Sequence, residues 1–411
     1  MTTTAEIQYL TRQIYGKYKE KELFFEAPLS DYAKKTYDFQ GSDKEIPIDA
    51  ILGGGVASTA ANAVLQHTSV QGKKFKVPQC TMIGHIKFES KVLRNSKGDA
   101  KFIDYAKKCV LDGTQKLYQE IELLGFGDGT GARATVLAAS GSTITIAPYQ
   151  AQYFSIGQLI GASATPGSAL VSGTPIAYNG VVDPAGTARV IGVNTTTGVL
   201  TVNGTVTSQI TGIGTPGMSL YHYGIASNNG AENIMTGLNG WNPLVVSATL
   251  FMNVDRTLNI NAMGGSRFIA SSGVPRQAVF VRARAQAKTD LPNLWKEGGA
   301  AFMHPIQWAA YEELLESLKM FDADVSDTEM GIRKLKYRGN TLTESRHCPL
   351  NTSWVVGPDA AELSLGQSRP YATDAFDDPQ GNYVMQKIAH DGGWIFTPTR
   401  LQRIEMPTLV G

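Results

Sequence analysis

"GDAKFIDYAKKCVLDGTQKLYQEIELLGFGDGTGARA", residues 98–134, joins a long amphipathic pattern to a run of glycines. Apolar or small residues recur every three or four positions, and charged residues fill the opposite side, which is typical of a helix packed along one face. The first set comprises Phe102, Ala106, Cys109, Val110, Gly113, Leu117, Ile121 and Leu124; the second comprises Asp104, Lys107, Lys108, Asp112, Lys116 and Glu120. The pattern predicts a helix from Asp99, its N-cap, to Leu124, with Gly125 as terminator and a length of about 39 Å.

The glycines at every second position, Gly125, Gly127, Gly129 and Gly131, predict a corner in the chain. A phosphate-binding loop needs a strand before the glycines and a helix N-terminus after them. Here the glycines follow a helix C-terminus, and Asp128 lies among them, so both the helix dipole and a like charge oppose an anion. We therefore expect a structural corner at this run.

Composition limits the function classes. With 42% hydrophobic residues, 43 glycines and 18 prolines, the 411-residue chain predicts a folded, turn-rich protein of two or three compact units. A net charge of +1 argues against a dedicated nucleic-acid binder, which usually carries a basic face. The sequence contains no apolar run of membrane-spanning length, and its start lacks the pattern of a secretion signal, so we expect a cytosolic product.

Charge is unevenly distributed along the chain. Between Ala134 and Leu250 the charged residues are Asp183, Arg189 and Glu232. Short β-branched and aromatic runs separated by Gly, Pro, Asn and Thr predict a small β-barrel or sandwich inserted over residues 140–223. Low charge is also typical of disorder, but alternating apolar pairs such as Ile144 and Ile146 favour packing.

The flanking segments mix helices and strands without regular alternation, which indicates an α+β class. A helix is predicted to begin at Pro305, and strands are predicted over 73–93, 331–344 and 382–406. The segment "RQAVFVRARAQAK" (276–288) is interpreted as a strand, which would place Arg282 and Arg284 on one side as a basic strip.

No catalytic or metal motif is recognisable. The acidic segment "FDADVSDTEMG" (321–331) departs from a calcium loop because Asp327 stands where glycine is required and Arg333 where glutamate is required. The six histidines lack a ligand spacing, the three cysteines are far apart, and no G-x-S-x-G elbow occurs. We expect no cofactor, no metal and no enzyme activity, although a catalytic triad assembled only in space remains open.

The order of segments resembles the major capsid protein of tailed bacteriophages, in the fold named after phage Hong Kong 97, over almost the whole chain. In that family a strand-forming segment such as 73–93 precedes a long spine helix, and a glycine-rich corner such as "GDGTG" (127–131) follows it. Later segments are similar too: "LFMNVDRTLN" (250–259), "AFMHPIQWAAYEELLES" (301–317), "YRGNTLTESRHCP" (337–349) and "GWIFTPTRLQRIEMP" (393–407).

The resemblance implies a division of the chain into family regions. It implies an N-terminal arm (1–37), an extended loop or E-loop (38–79), a peripheral-domain strand and spine helix (80–125), an axial domain (126–345) carrying the β-rich insertion, and returning segments (346–411) that end in a strand.

It also implies the function: a shell subunit that forms hexamers and pentamers, builds an icosahedral phage head in the host cytoplasm, encloses double-stranded DNA and expands as the DNA is packed. Expected partners are further copies of the chain, a separate scaffolding protein, a portal at one vertex, a possible decoration protein and non-specifically contacted DNA, but no membrane. The stretch before the E-loop is too short to be a large built-in scaffold. Lys73 and Lys74 match no cross-linking pair of the family, so we expect non-covalent assembly.

An extended loop and arm cannot bury their apolar residues against themselves, so neighbouring copies should cover them. The predicted subunit-contact residues are Phe24, Phe25, Ile46, Ile48, Ile51, Leu52 and Val56. The arm aromatics could instead cap their own domain. Alternatives for the whole protein are an encapsulin-like compartment of the same fold, a β-rich adhesin and a soluble hydrolase.

Overall fold

The computed structural model describes residues 27–39, 41–51, 56–66, 71–89, 100–178, 181–225, 234–271, 277–291, 294–317, 335–337, 339–366, 371–372, 376–377 and 383–406. Helices run over α1 (Pro28–Tyr32), α2 (Ala60–Leu65), α3 (Ala100–Phe126), α4 (Val206–Gln209), α5 (Leu238–Trp241), α6 (Ile260–Gly264), α7 (Gln277–Asp290) and α8 (Pro305–Ser317). Short 3₁₀ helices occupy Pro148–Tyr153, Arg256–Leu258 and Pro398–Arg400.

Strands run over β1 (Lys34–Thr36), β2 (Asp43–Ile51), β3 (Gln71–Pro78), β4 (Cys80–Glu89), β5 (Ala132–Ser140), β6 (Thr143–Ile146), β7 (Leu159–Ser163), β8 (Ala177–Tyr178), β9 (Val181–Val182), β10 (Thr187–Asn194) and β11 (Val199–Val202). They continue over β12 (Ser219–His222), β13 (Ser266–Ile269), β14 (Ala300–Met303), β15 (Leu335–Tyr337), β16 (Asn340–Glu344), β17 (Thr352–Val356), β18 (Ala361–Leu365), β19 (Tyr371–Ala372), β20 (Phe376–Asp377), β21 (Tyr383–Phe396) and β22 (Leu401–Glu405).

The long helix α3 packs on a sheet whose longest strand is β21. That sheet has the order β1-β18-β21-β19, and β4 and β20 also pair with β21. The predicted apolar face of α3 is the buried one, since Val110, Leu117 and Ile121 are all less than 5% exposed. The predicted helix is confirmed, but it extends through Gly125 to Phe126, and the predicted Asp99 cap lies outside the described residues.

A second six-stranded sheet has the order β13-β22-β17-β14-β16-β15 and carries α7 and α8. Strands β14 and β17 are buried along their whole length, which fits their position inside the sheet. Helix α8 begins at Pro305 as predicted. The segments predicted as strands over 73–93, 331–344 and 382–406 are strand-forming in their described parts, but each is divided into two strands.

The strand prediction for 276–288 is wrong, because residues 277–290 form helix α7. Phe280, Ala283 and Ala287 recur at helical spacing and are fully buried. The alanines, arginines and glutamines of this segment are good helix formers. Arg282 and Arg284, two residues apart on a helix, point in nearly opposite directions, so the basic strip does not exist.

The uncharged segment folds into a closed β-barrel of order β10-β11-β6-β5-β12-β7 with its own apolar core. The barrel begins at Ala132, eight residues before the predicted boundary of 140, and its last strand ends at His222, next to the predicted end. The sequence pattern does not indicate this earlier start of the barrel, because Arg133 interrupts the apolar spacing. The Arg133 side chain is nevertheless only 7% exposed and pairs with Glu120 of α3. The barrel's Asp183 and Arg189 pair with each other.

Candidate functional site

A β-hairpin formed by β2 and β3 projects from the body within the predicted E-loop. The two strands pair antiparallel from Asp43 opposite Pro78 to Ile51 opposite Gln71, with a bulge near the far end. At about 3.3 Å per residue, eight or nine residues extend roughly 26–30 Å. An isolated two-stranded ribbon is marginal in water, so its stability has to come from contacts at its ends.

The hairpin root is packed into the main core. Phe75 is 1% exposed and meets the rings of Trp241 and Phe251 edge-on at centroid distances of 5.2 and 6.1 Å. The backbone N–H of Lys76 donates to the carbonyl of Met252 at 3.0 Å. Val77 is buried beside Phe75. These contacts fix the direction in which the rest of the hairpin leaves the body.

The hairpin tip, residues 56–66, is apolar and exposed. Val56, Val64 and Leu65 are 91%, 75% and 84% exposed, and every residue of α2 faces solvent at least in part. Thr59 caps α2 by accepting a hydrogen bond from the Asn62 N–H at 3.4 Å. The tip contains no charged residue. An ordered, uncharged tip with three large apolar side chains exposed to solvent is typical of a surface that contacts another molecule.

The two faces of the hairpin differ in chemistry because side chains alternate along a strand. Ile46 pairs with Phe75 and Ile48 with Lys73 on the face directed to the body. Glu45, Lys74 and Lys76 occupy the other face, where Lys74 Nζ lies 2.8 Å and Lys76 Nζ 3.7 Å from the Glu45 carboxylate. The Lys74 ammonium lowers the pKa of Glu45, but exposed pairs of this kind contribute little stability.

The predicted subunit-contact residues fall into three groups. Val56 lies on the exposed tip, whereas Ile46 and Ile48 are half-buried against the chain's own core. Phe24, Phe25, Leu52 and the side chain of Ile51 lie outside the described residues. The contacts with other copies therefore stay predictions. Sequence reasoning did not select Val64 and Leu65; their signal is an apolar pair in a segment without charge.

The glycine run lies between α3 and the first barrel strand. Gly125 is inside the last turn of α3, and Gly127 follows the helix. Gly129 and Gly131 have φ of +87° and +80°, and a Cβ on Gly131 would lie 2.1 Å from the carbonyl oxygen of Ile225. Asp128 accepts hydrogen bonds from the N–H and hydroxyl of Thr130, at 2.9 and 2.6 Å. Asp128, whose charge argues against anion binding at the glycine run, thus stabilises the turn.

Polar groups line the junction between barrel, corner and body. Arg133 donates to Glu120 at 3.0 Å, and Tyr153 stacks on His347 at 6.2 Å. Burial opposes ionisation of Glu120, yet Arg133 holds the pKa of that carboxyl below its ordinary value. Burial lowers the pKa of His347 to about 3 and that of His222 to about 4, so both imidazoles are neutral at pH 7.

These groups lie where the barrel and the corner meet the body. A cavity of about 210 Å³ lies beside them and is lined by Arg133, Tyr149, Tyr153 and His347, among others. Within the described ranges, no group of three or more His, Cys, Asp or Glu side chains could hold a metal ion. The predicted acidic loop, 321–331, lies outside the described residues. None of the helices described is both long and apolar enough to cross a membrane.

Comparison with known proteins gives structural matches only. No family model and no curated protein matches the sequence. The capsid asymmetric unit of cyanophage A-1(L) matches with a TM-score of 0.53 and 9% identity, over 93% of each chain. The chain shares the fold of that capsid subunit. The predicted phage-capsid fold is thereby confirmed.

Other solved structures are similar over comparable lengths but with lower scores. The cyanophage Pam1 capsid matches at 11% identity with a TM-score of 0.45, over 95% of this chain and 93% of that one. The SrpI encapsulin of Synechococcus elongatus PCC 7942 matches at 8% identity with a TM-score of 0.43, over 92% and 86%.

Proposed function

We propose that the chain is a major capsid protein, which self-assembles into hexamers and pentamers of an icosahedral phage head around double-stranded DNA. The observation that carries this proposal is the hairpin: its root is packed into the core while an uncharged apolar tip stands in water. In a chain with the fold of a capsid subunit, a second copy is the partner that would cover such a tip.

The structural elements correspond to family regions in this proposal. Residues 1–37 are the arm, 38–79 the E-loop, and 80–125 the peripheral strand and spine helix. Residues 126–345 are the axial domain, and 346–411 are the segments that return to the axial and peripheral domains. The barrel is an insertion in the axial domain. Its own closed core and its neutral exterior support this, because such a unit can be added without rebuilding the sheets around it.

The contacts needed for a shell are individually small and repeated. Each subunit would give one hairpin and receive another, so many modest contacts add to a stable closed particle while each step stays reversible. A net charge of +1 limits repulsion between copies. A separate scaffolding protein, a portal, non-specifically bound DNA and, where one exists, a decoration protein complete the proposed head, which assembles in the host cytoplasm.

Electron microscopy of the purified chain, alone and co-expressed with a candidate scaffold, tests the proposal. Closed polyhedra, tubes or hexamer sheets are expected. A well-behaved monomer under every salt and scaffold condition would refute assembly. Nuclease-protected double-stranded DNA in particles from the complete head-gene set would distinguish a phage head from an enzyme-filled compartment of the same fold.

A further inference from the structure

A second exposed apolar surface lies beside the root of the hairpin. It is the segment 244–250, "LVVSATL", which contains no charged residue. Val245 and Leu250 are 77% and 62% exposed, and Leu244 is exposed as well. We define residues 244–250 as the root loop. Large apolar side chains gathered in one short segment mark an interaction surface, whereas single ones scattered over a protein do not.

The root loop is fixed at both of its ends. Before it, Trp241 and Asn242 are fully buried. After it, Phe251 packs against the main core and exchanges two backbone hydrogen bonds of 2.9 Å with Val254. The exposed side chains between these anchors are therefore held in place before any partner arrives. Binding to such a preorganised surface costs less conformational entropy than binding to a mobile segment.

The anchor that ends the root loop also holds the hairpin. Phe251 meets the ring of Phe75 edge-on, and the next residue, Met252, accepts the backbone hydrogen bond from Lys76. From Phe75 to Gln71, the last paired residue of β3, the strand covers about 13 Å, and the tip lies beyond it. The root loop and the hairpin tip thus lie at opposite ends of one unit.

The tip does not cover the root loop of its own chain. Leu65 on the tip and Val245 on the root loop are 84% and 77% exposed in the same structure, so neither surface buries the other. The ribbon is paired along its length and packed at its root, which directs the tip away from the loop. A partner for either surface has to come from another molecule.

The chemistry of the two surfaces is matched. The tip, residues 56–66, and the root loop both carry exposed apolar side chains and no charge. Burying one against the other removes apolar area from water without desolvating an ionised group. The outer face of the hairpin is a poor alternative, because an apolar tip lying on it would desolvate Glu45 and Lys74.

We propose that the root loop is the surface that receives the hairpin tip of a second copy, so that subunits join head to tail. The inference deepens the proposed function and rests on it. Because the giving and receiving surfaces are different parts of the chain, the contact is heterologous, and it passes from copy to copy until the rotation closes a ring. Hexamers and pentamers then use the same contact with a different number of copies.

Cysteine cross-linking of assembled particles tests this assignment. Leu65→Cys/Leu250→Cys places one thiol on each surface, and a short bismaleimide should link neighbouring chains into a ladder of bands on a denaturing gel. Leu65→Cys alone and Leu250→Cys alone should give no ladder, because a head-to-tail contact brings unlike surfaces together. Native Cys80 and Cys348 are buried, and the single variants measure the background from the partly buried Cys109.

Leu65→Cys/Ile156→Cys is the matched control. Ile156 is 73% exposed, comparable to Leu250, but it belongs to the barrel, so this pair should give no ladder. Dimers from Leu65→Cys alone would show that two tips meet each other. That result, the absence of a ladder in particles of the test variant, or an equal ladder in the control would overturn the proposal.

Val245→Ser/Leu250→Ser tests the same contact through assembly. Both side chains are exposed, so the fold should be kept, and the critical concentration should rise about tenfold to a hundredfold. Adding this change to Val64→Ser/Leu65→Ser on the tip should raise the critical concentration little further, because the two pairs form one contact. An unchanged critical concentration, or a combined rise equal to the product of the two separate rises, would contradict the assignment.

These results separate the receiving surface from the proposed function. Wild-type particles in which the tip and the root loop do not cross-link would leave the capsid function standing and remove the root loop as its receiving surface. A wild-type chain that forms no particle in any salt or scaffold condition would count against the capsid function and, with it, against the docking.

Discussion

Replacing Val64 and Leu65 by serine should weaken assembly without weakening the fold. Both side chains lie on α2 at the hairpin tip and are 75% and 84% exposed, so their removal takes nothing from the chain's own core. Surface changes of this kind alter the free energy of unfolding by about 0.5 kcal/mol or less. Chemical denaturation of the double variant should therefore superimpose on that of the wild type.

The effect on assembly follows from the area that a neighbour would cover. Fully burying one Val or Leu side chain stabilises by about 1.5–3 kcal/mol, and most of each of these two is available for burial. If half of that gain survives imperfect packing, removing both side chains weakens the contact by about 1.5–3 kcal/mol per subunit. Since 1.4 kcal/mol corresponds to a factor of ten, the critical concentration should rise about tenfold to a hundredfold.

Sedimentation of a concentration series measures the critical concentration, and microscopy checks particle shape. Ile156→Ser, which removes a 73% exposed apolar side chain from the barrel instead, is the matched control and should assemble as the wild type. An unchanged critical concentration in the Val64→Ser/Leu65→Ser variant, with particles of normal shape, would refute the role of the hairpin tip.

Three further predictions concern the fold. Gly131→Ala should lower the free energy of unfolding by several kcal/mol, because the φ of this residue is +80° and the new Cβ would clash with the Ile225 carbonyl. Gly141→Ala, at a φ of +55° but with open space around the new Cβ, should lower it by about 1 kcal/mol. Equal losses for the two variants in denaturant titrations would contradict this. Phe75→Ala should lower the free energy of unfolding by about 3–5 kcal/mol in the same assay, because the ring is buried. A loss below about 1 kcal/mol would contradict the packing of the hairpin root into the core. The free energy of unfolding should fall as the pH is lowered from 6.5 to about 4, because burial holds the pKa values of His304 and His390 at about 4 and both rings bind protons on unfolding. A flat profile would contradict the burial of these rings.

The long helix and the corner could be predicted because their signals are local. The apolar spacing along α3 and the helix-before-glycine order are properties of neighbouring residues, and the buried face is the one that the spacing indicates. The end of the helix was misplaced by two residues, since Gly125 is needed for contact with Leu29 and not for termination. Close approach and helix termination favour the same residue type, so the sequence alone does not distinguish them.

Non-local contacts account for the other differences. Alternating Val, Phe and Arg made 276–288 resemble a strand, but the second sheet buries Phe280, Ala283 and Ala287 as one helical row. Glu122 stands four residues after the buried Tyr118 on the apolar side of the pattern, a carboxyl where a hydrophobic residue is expected. That irregularity was the available signal, but its partners on α1 are too distant in sequence to identify without the fold.

A cryo-EM reconstruction of the assembled particle tests the central claim most directly, namely that a second copy covers the hairpin tip. The account predicts a closed shell in which Leu65, 84% exposed in the single chain, is buried against a neighbouring subunit. A shell in which the tip still stands in solvent, or a chain that stays monomeric throughout, would contradict it.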